Sequence, residues 1–409
     1  MTAMLRRRRF LETVSTLPFV GGLLGASGPL VAEAAAGKPT RDYFRELGVR
    51  PFINAAGTYT AMSASLMAPE VIDAITYASK QFVMLDELHD KVGERIAALL
   101  RSEAAMVTAG ASSALTLGTA GVLTGTDRAK IGAVPNFAAM QSAGVKTEVI
   151  IQKAHRFGYD HAVRACGVTL VEVETSEALE RAINPQTAMM LFFNSNNGVG
   201  AIKDEEFARL GKKLGVPTLN DCAADVPPVD NFWKYTAMGF DLVAFSGGKG
   251  IRAPQSAGML LGRKDLIAAA RLNAPPNAAI GRGMKVNKEE MLGMLAGLEA
   301  FLKREADGQG RSFAQRAEVI RKAVSGVPGV TAEIFVPEIA NHVPHVRLSW
   351  GAGGPAMKAA DVVQALRAGE PSIVIRSEEE TVVVGVWMLR EGEDQIVARR
   401  LRQTLEKKA

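Results

Sequence analysis

Phe245-Ser246-Gly247-Gly248-Lys249-Gly250 closes an apolar run that begins at Leu242, and its reading decides the fold. Leu242-Val243-Ala244-Phe245 has the length and composition of a buried strand end. A lysine set among glycines directly behind such a strand suits covalent chemistry with an aldehyde better than it suits solubility. Glycine allows backbone angles and close approach that a Cβ would block, so a bulky planar group can lie against the chain. Taken alone, the run is equally an ordinary solvated turn, and its companions carry the argument.

Around this run, apolar strands at 104–108, 147–151, 169–173, 189–193, 218–220, 242–245 and 258–261 alternate with amphipathic helical stretches. That rhythm predicts an α/β fold with a mostly parallel sheet covered by helices. Residues 287–306 have a strong helical period, with Met291, Leu292, Met294, Leu295 and Leu298 on one side, and are expected to bridge two domains. Beyond residue 310 a helix, strands near 346–349 and 381–387 and a charged terminal helix predict a smaller α+β domain. The expected division is a leader at 1–36, an N-terminal segment at 37–68, a large domain at 69–285, and a linker helix with the small C-terminal domain at 286–409.

Three other strand exits carry polar chemistry. Val107-Thr108-Ala109-Gly110-Ala111-Ser112-Ser113 leads through small residues into a helix, whose free N–H groups can bind phosphate, although tight helix packing also explains such a turn. Asn220-Asp221-Cys222-Ala223-Ala224-Asp225 puts Asp221 at a strand's carboxyl end, where open α/β sheets bind ligands; a helix-cap role suits Asp225 better. Asn194-Ser195-Asn196-Asn197-Gly198 supplies neutral hydrogen-bonding groups or simply a turn. In chain order these are a phosphate cradle, an amide-bearing exit, a strand-end aspartate and a glycine-flanked lysine. Pyridoxal phosphate needs such a set: an acid to keep its ring nitrogen protonated and a lysine for the Schiff base, with Ser246 placed to join the phosphate.

Asn220-Asp221-Cys222-Ala223-Ala224-Asp225-Val226-Pro227-Pro228, the run from Phe245 through Arg252-Ala253-Pro254-Gln255, and Gly281-Arg282-Gly283-Met284-Lys285-Val286-Asn287 resemble the selenocysteine-synthase-like pyridoxal phosphate enzymes. So do Ile53-Asn54-Ala55-Ala56-Gly57-Thr58 and residues 155–164; the likeness is greatest to the D-glucosaminate-6-phosphate ammonia-lyase branch and covers nearly all of the chain past the leader. The resemblance implies pyridoxal phosphate fold type I, with Lys249 bonded to the cofactor and Asp221 on its ring nitrogen. It also implies Gly110, Ala111, Ser112 and Ser246 on the phosphate, Asn196 on the phenolic oxygen and His155 on the ring face. Arg282 and Lys285 fall where the family places cations that face an anionic substrate group, and Arg376 is a candidate clamp for a substrate carboxylate. Plain surface and strand-end roles stay open for these three.

The implied activity is a lyase that removes water and ammonia from a β-hydroxy amino acid or aminosugar acid to give a 2-keto acid, in an enzyme that is a homodimer at least. A selenocysteine-synthase-like transferase, a transaminase and a noncatalytic binding protein of the same fold are the alternatives. Two departures bear on this. Ser65-Leu66-Met67 stands where relatives often have an arginine, which weighs against a phosphorylated substrate; and only a leader and a short segment precede Ile53, where selenocysteine synthases carry a tRNA-binding region.

Bulk properties narrow the rest. A chain of 409 residues suggests about two domains. The formal charge of +5 owes part of its excess to Arg6, Arg7, Arg8 and Arg9, and no basic stripe interleaved with aromatics points to nucleic acid. Cys166 and Cys222 are too few and too far apart for a disulfide framework or a metal site, so free thiols and no metal are expected. Arg7-Arg8-Arg9-Phe10-Leu11 resembles a twin-arginine export signal, with cleavage sites near Ala34 and Ala36. The apolar stretch after it is broken by Pro18, Gly21 and Gly22 and falls short of the roughly 20 residues of a spanning helix. Twin-arginine export to the periplasm is expected, without stable membrane insertion after processing.

Overall fold

The computed structural model describes residues 41–407. The expected leader, with its arginines and cleavage sites, lies outside the described residues. Residues 41–50 belong to a unit of their own and hold one short helix, Tyr43–Glu46, started by the Asp42 carboxylate accepting the Arg45 N–H at 3.0 Å.

Residues 51–409 form the second unit, built on a seven-stranded sheet. Its strands are β2 (Ala104–Thr108), β3 (Glu148–Gln152), β4 (Thr169–Val173), β5 (Thr187–Phe193), β6 (Thr218–Asp221), β7 (Leu242–Ser246) and β8 (Gly258–Gly262). They follow β1 (Ile53–Asn54), which lies in another sheet. The order across the large sheet is β2-β8-β7-β6-β5-β3-β4, and β8 alone runs against its neighbours. All seven strands are the ones the hydrophobic runs predict, within two residues at each end. β5 is buried along its whole length, as a strand covered by helices on both faces must be. One face packs on helices Leu85–Leu100, Asp204–Leu214 and Lys288–Ala306, through Ile96, Phe207, Met294 and Leu298. The other packs on Gly110–Thr124 and Lys264–Asn273, through Leu115, Leu117 and Ile267.

A separate core holds β9 (Val330–Phe335), β10 (His345–Trp350), β12 (Arg376–Glu378) and β13 (Thr381–Gly385) in one antiparallel sheet ordered β12-β13-β10-β9. β11 (Ile373–Val374) pairs in parallel with β1, which ties the chain's early segment to this small core. The periodicity missed β9, none of whose residues is fully buried and whose apolar Val330, Ile334 and Phe335 are separated by Thr331, Ala332 and Glu333. The predicted helix at 287–306 is the helix Lys288–Ala306, started by a capping box between Asn287 and Glu290.

Candidate active site

Strand register brings the predicted segments to one edge. Gly258, the first residue of the reversed strand β8, pairs with Thr108 on one side and Ser246 on the other. Helix Gly110–Thr124 therefore begins beside Ser246. The approach is so close that a Cβ on Gly258 would lie 2.8 Å from the Ala111 nitrogen. Gly110 has φ +79°, a left-handed angle that turns the strand into the helix and that glycine takes without a Cβ clash. No side chain caps this helix at Ala109, so its first N–H groups remain available to an anion, and Ser112 is exposed there.

Asp221 ends β6 next to Ala244 of β7, and Lys249 stands in the turn three residues beyond the end of β7. The Asp221 carboxylate accepts the Ala223 N–H at 2.9 Å. Among the described residues the Lys249 amine has neither a hydrogen-bond partner nor an ion-pair partner within 4 Å. Burial pushes the Asp221 carboxyl up from its ordinary range and pulls the Lys249 ammonium down, and their mutual attraction only partly opposes both shifts. An acid and an amine that face one region without touching leave room for a group that answers both.

The glycines around Lys249 serve a purpose different from the expected one. A Cβ on Gly247 would lie 2.6 Å from the Met294 sulfur, one on Gly248 2.6 Å from the Gln255 Cα, and one on Gly250 2.9 Å from Pro227 Cδ. The protein's own atoms fill these faces. The glycines fix the lysine loop against residues 226–227 and 255 and the helix Lys288–Ala306, rather than leaving a bare surface for a planar group.

Lys249 opens into a cavity of about 470 Å³ whose walls include Tyr59, Asn341, His345, Arg376 and Trp387. Arg376, the candidate carboxylate clamp, lines the same cavity as Lys249; one guanidinium nitrogen donates to Glu378 at 2.6 Å, and its buried Nε has no partner among the described residues. Tyr59, Tyr159, Asn341, His345 and Trp387 went unpredicted because they arrive from loops and from the small sheet, with no local motif to mark them. His345 donates from Nδ1 to the Val343 carbonyl at 2.8 Å, since a carbonyl can only accept, and its Nε2 is then the acceptor. Burial lowers its pKa and keeps it neutral.

Other predicted residues sit farther from this wall. His155 is fully buried, its ring edge-on to Phe192 at 4.5 Å and its Nδ1 accepting the Phe193 N–H at 3.2 Å; it does not line the cavity. Asn196 lies at the exit of β5, beside β6 on the same sheet edge, with one amide hydrogen given to the Ala154 carbonyl at 2.9 Å. Arg282 and Lys285 are exposed and outside the cavity. Asp225 caps no helix: it is buried, accepts from Asn194 at 3.1 Å, and Asp230 takes the N-cap position of Asn231–Met238. Its carboxyl is pushed up to about 6, mainly by burial. Both cysteines are free and buried.

The family model described as SelA: L-seryl-tRNA selenium transferase matches residues 52–312. The D-glucosaminate-6-phosphate ammonia lyase of Salmonella typhimurium is 31% identical over 383 residues, covering 90% of this chain and 99% of the relative. A solved structure of D-glucosaminate-6-phosphate ammonia-lyase aligns with a TM-score of 0.77 at 30% identity, over 90% of this chain and 99% of that one. A structure of SPT with PLP shares the fold alone, with a TM-score of 0.55 at 14% identity over 86% and 87% of the two chains.

Proposed function

The chain belongs to the SelA (L-seryl-tRNA selenium transferase) family and has the fold type I architecture of pyridoxal phosphate enzymes, and from that premise we propose that it is an ammonia-lyase. Its substrate is a β-hydroxy amino acid or aminosugar acid, and its product a 2-keto acid. The β-hydroxyl leaves as water; the unsaturated amine that remains takes up water and loses ammonia.

The residues present fit the cofactor. Among the described residues Asp221 has no cation in contact and Lys249 no hydrogen-bond or ion-pair partner, and the uncapped start of Gly110–Thr124 shares the sheet edge with Ser246, Gly258 lying between them. When bound, pyridoxal phosphate supplies an aldehyde for amine exchange and a ring that accepts the electron pair left when the substrate α-carbon loses its proton. Gly110, Ala111 and Ser112 with Ser246 would hold the phosphate, and Asp221 would hold the proton on the ring nitrogen. Lys249 would have two roles: its Nζ would hold the aldehyde carbon, and as a free amine it would take the α-proton. Burial favours the neutral amine that this second role requires. Arg376 grips the substrate carboxylate, while Tyr59, Asn341 and the His345 Nε2 offer partners to sugar-like hydroxyls.

The shared cavity of Lys249 and Arg376 carries this reading, because it sets the reacting amine and a carboxylate anchor in one space. A screen of β-hydroxy amino acids and aminosugar acids for ammonia release tests it. Ammonia from at least one of them, absent with Lys249→Ala, is expected; amino-group transfer to a keto acid without free ammonia would replace the lyase with a transaminase.

The proposal extends to location and assembly. The twin-arginine pattern at 7–11 supports export of the folded, cofactor-loaded enzyme to the periplasm by the twin-arginine machinery. Fractionation of cells expressing the full chain tests this, with a solely cytoplasmic protein as the contrary result. A homodimer or larger homo-oligomer is supported by the exposed apolar stretch that includes Tyr77, Phe82, Val83 and Met84. In that assembly Arg282 and Lys285 are assigned to an anionic group of substrate held by the neighbouring copy.

A further inference from the structure

A second cavity, of about 260 Å³, lies beyond Trp387, which lines both it and the lysine cavity. Two arginines from different elements face into it. Arg252, three residues after Lys249, gives its Nε to the Leu66 carbonyl at 3.0 Å, and Arg316 gives a terminal nitrogen to the Leu389 carbonyl at 2.6 Å. Neither has a carboxylate within 4 Å among the described residues, whereas the nearby Arg390 is neutralised by Glu393 at 2.6 Å. The one carboxylate on the wall is Glu391, which is exposed.

Behind Arg252 stands Arg304, bonded to the Ile251 carbonyl at 3.0 Å, its Nε buried without a partner. Burial and the neighbouring arginines pull both the Arg252 and Arg304 guanidinium groups below their ordinary range, with Glu70 only partly opposing this. Arg252 has φ +60°, a left-handed angle at which glycine would be less strained. Helix Gln309–Val324 begins at this cavity without a side-chain cap, and Gln309 and Arg316, two turns apart, both stand on its wall.

We infer that this cavity binds a phosphate-type oxyanion, held by the Arg252 and Arg316 guanidinium groups. Planar guanidinium forks match the paired oxygens of phosphate, and two uncompensated cations in a partly enclosed space favour a doubly charged anion over a neutral ligand. The anion is either free phosphate or the phosphoryl group of a substrate that reaches past Trp387. The second source rests on the ammonia-lyase reading; the site itself does not.

Inorganic phosphate titrated calorimetrically into the cofactor-loaded protein, in a phosphate-free buffer, reads the site without any turnover. The cofactor then already fills the cradle at Gly110. Saturable binding is expected, weakened at least tenfold in Arg252→Gly and in Arg316→Met. Arg252→Gly suits the local backbone angle and removes the guanidinium; Arg316→Met tests the other wall should the first variant misfold. No saturable binding, or binding unchanged in both folded variants, overturns the proposal. If phosphate also raises KM for a phosphorylated aminosugar acid without changing kcat, the site takes the substrate's own phosphoryl group. If phosphate binds and KM is unmoved, the site takes free phosphate.

Discussion

At Lys249 and Asp221 one physical effect, burial, moves two groups in opposite directions toward their neutral forms. Burial favours the uncharged amine, the form in which a lysine can act as a base. Replacing it with alanine should lower ammonia release by at least the ~10²–10⁴-fold typical of a lost general base and remove the visible absorbance of the cofactor-bound protein. A Lys249→Ala protein that retains activity would end the assignment. Asp221→Asn should keep the fold and lose most of the activity, since an amide cannot hold the ring nitrogen's proton by charge.

Buried histidines make a separate prediction about stability. Burial draws His89 down to about 3 and His155 down to about 4. His89 accepts from Arg271 at Nδ1 and so donates to the Val107 carbonyl from Nε2. Unfolded imidazole takes up a proton near pH 6.5, so the contribution of these residues is complete above that pH and is lost as pH falls from about 6.5 toward 4, at about 1.4 kcal/mol per pH unit for each. Asp225, raised to about 6, acts with the opposite sign, because its native carboxyl binds a proton more tightly than the unfolded one, and cancels roughly one histidine. Across these three groups a loss on the order of 1.4 kcal/mol per pH unit remains; Asp221, which burial also raises, works against it, and His345, which burial lowers, adds to it. Urea midpoints that are equal at pH 6.5 and pH 4.5 would contradict it.

Among the elements, the seven large-sheet strands were legible because short apolar-rich segments recur at regular spacing between amphipathic helical stretches, even where a strand such as β6 carries only one strongly apolar residue. The lysine's place in the turn after β7 was legible too, but the reason for its glycines was not. Their faces are closed by Met294, Gln255 and Pro227, atoms far away in sequence or beyond a turn whose path no periodicity reports. Gly248→Ala tests the packing explanation. With its new Cβ 2.6 Å from the Gln255 Cα, backbone must shift, and a destabilisation of about 1–3 kcal/mol is expected. It should appear as a lower thermal midpoint together with weaker cofactor retention; an unchanged midpoint would mean that the loop has slack the structure does not show.

For the molecule as a whole, the exposed stretch with Phe82 fully solvent-facing marks the surface that a second copy would cover. Phe82→Asp combined with Met84→Asp is expected to shift the assembly toward monomer in sedimentation, leaving the single-chain fold intact. An unaltered sedimentation profile places the contact elsewhere. What the sequence alone determined was the local alphabet of the site: a strand followed by an acid, a strand followed by a glycine-set lysine, and a strand turning through small residues into a helix. Short-range sterics and hydrophobic period dictate those, so they survive without a partner segment. Only the tertiary structure decided that Arg376 and His345 share a cavity with Lys249, that His155 is buried behind the site, and that Arg252 meets Arg316. Those meetings come with pairings such as β2 with β8 and β1 with β11, between residues more than a hundred positions apart, which no reading of neighbours along the chain contains.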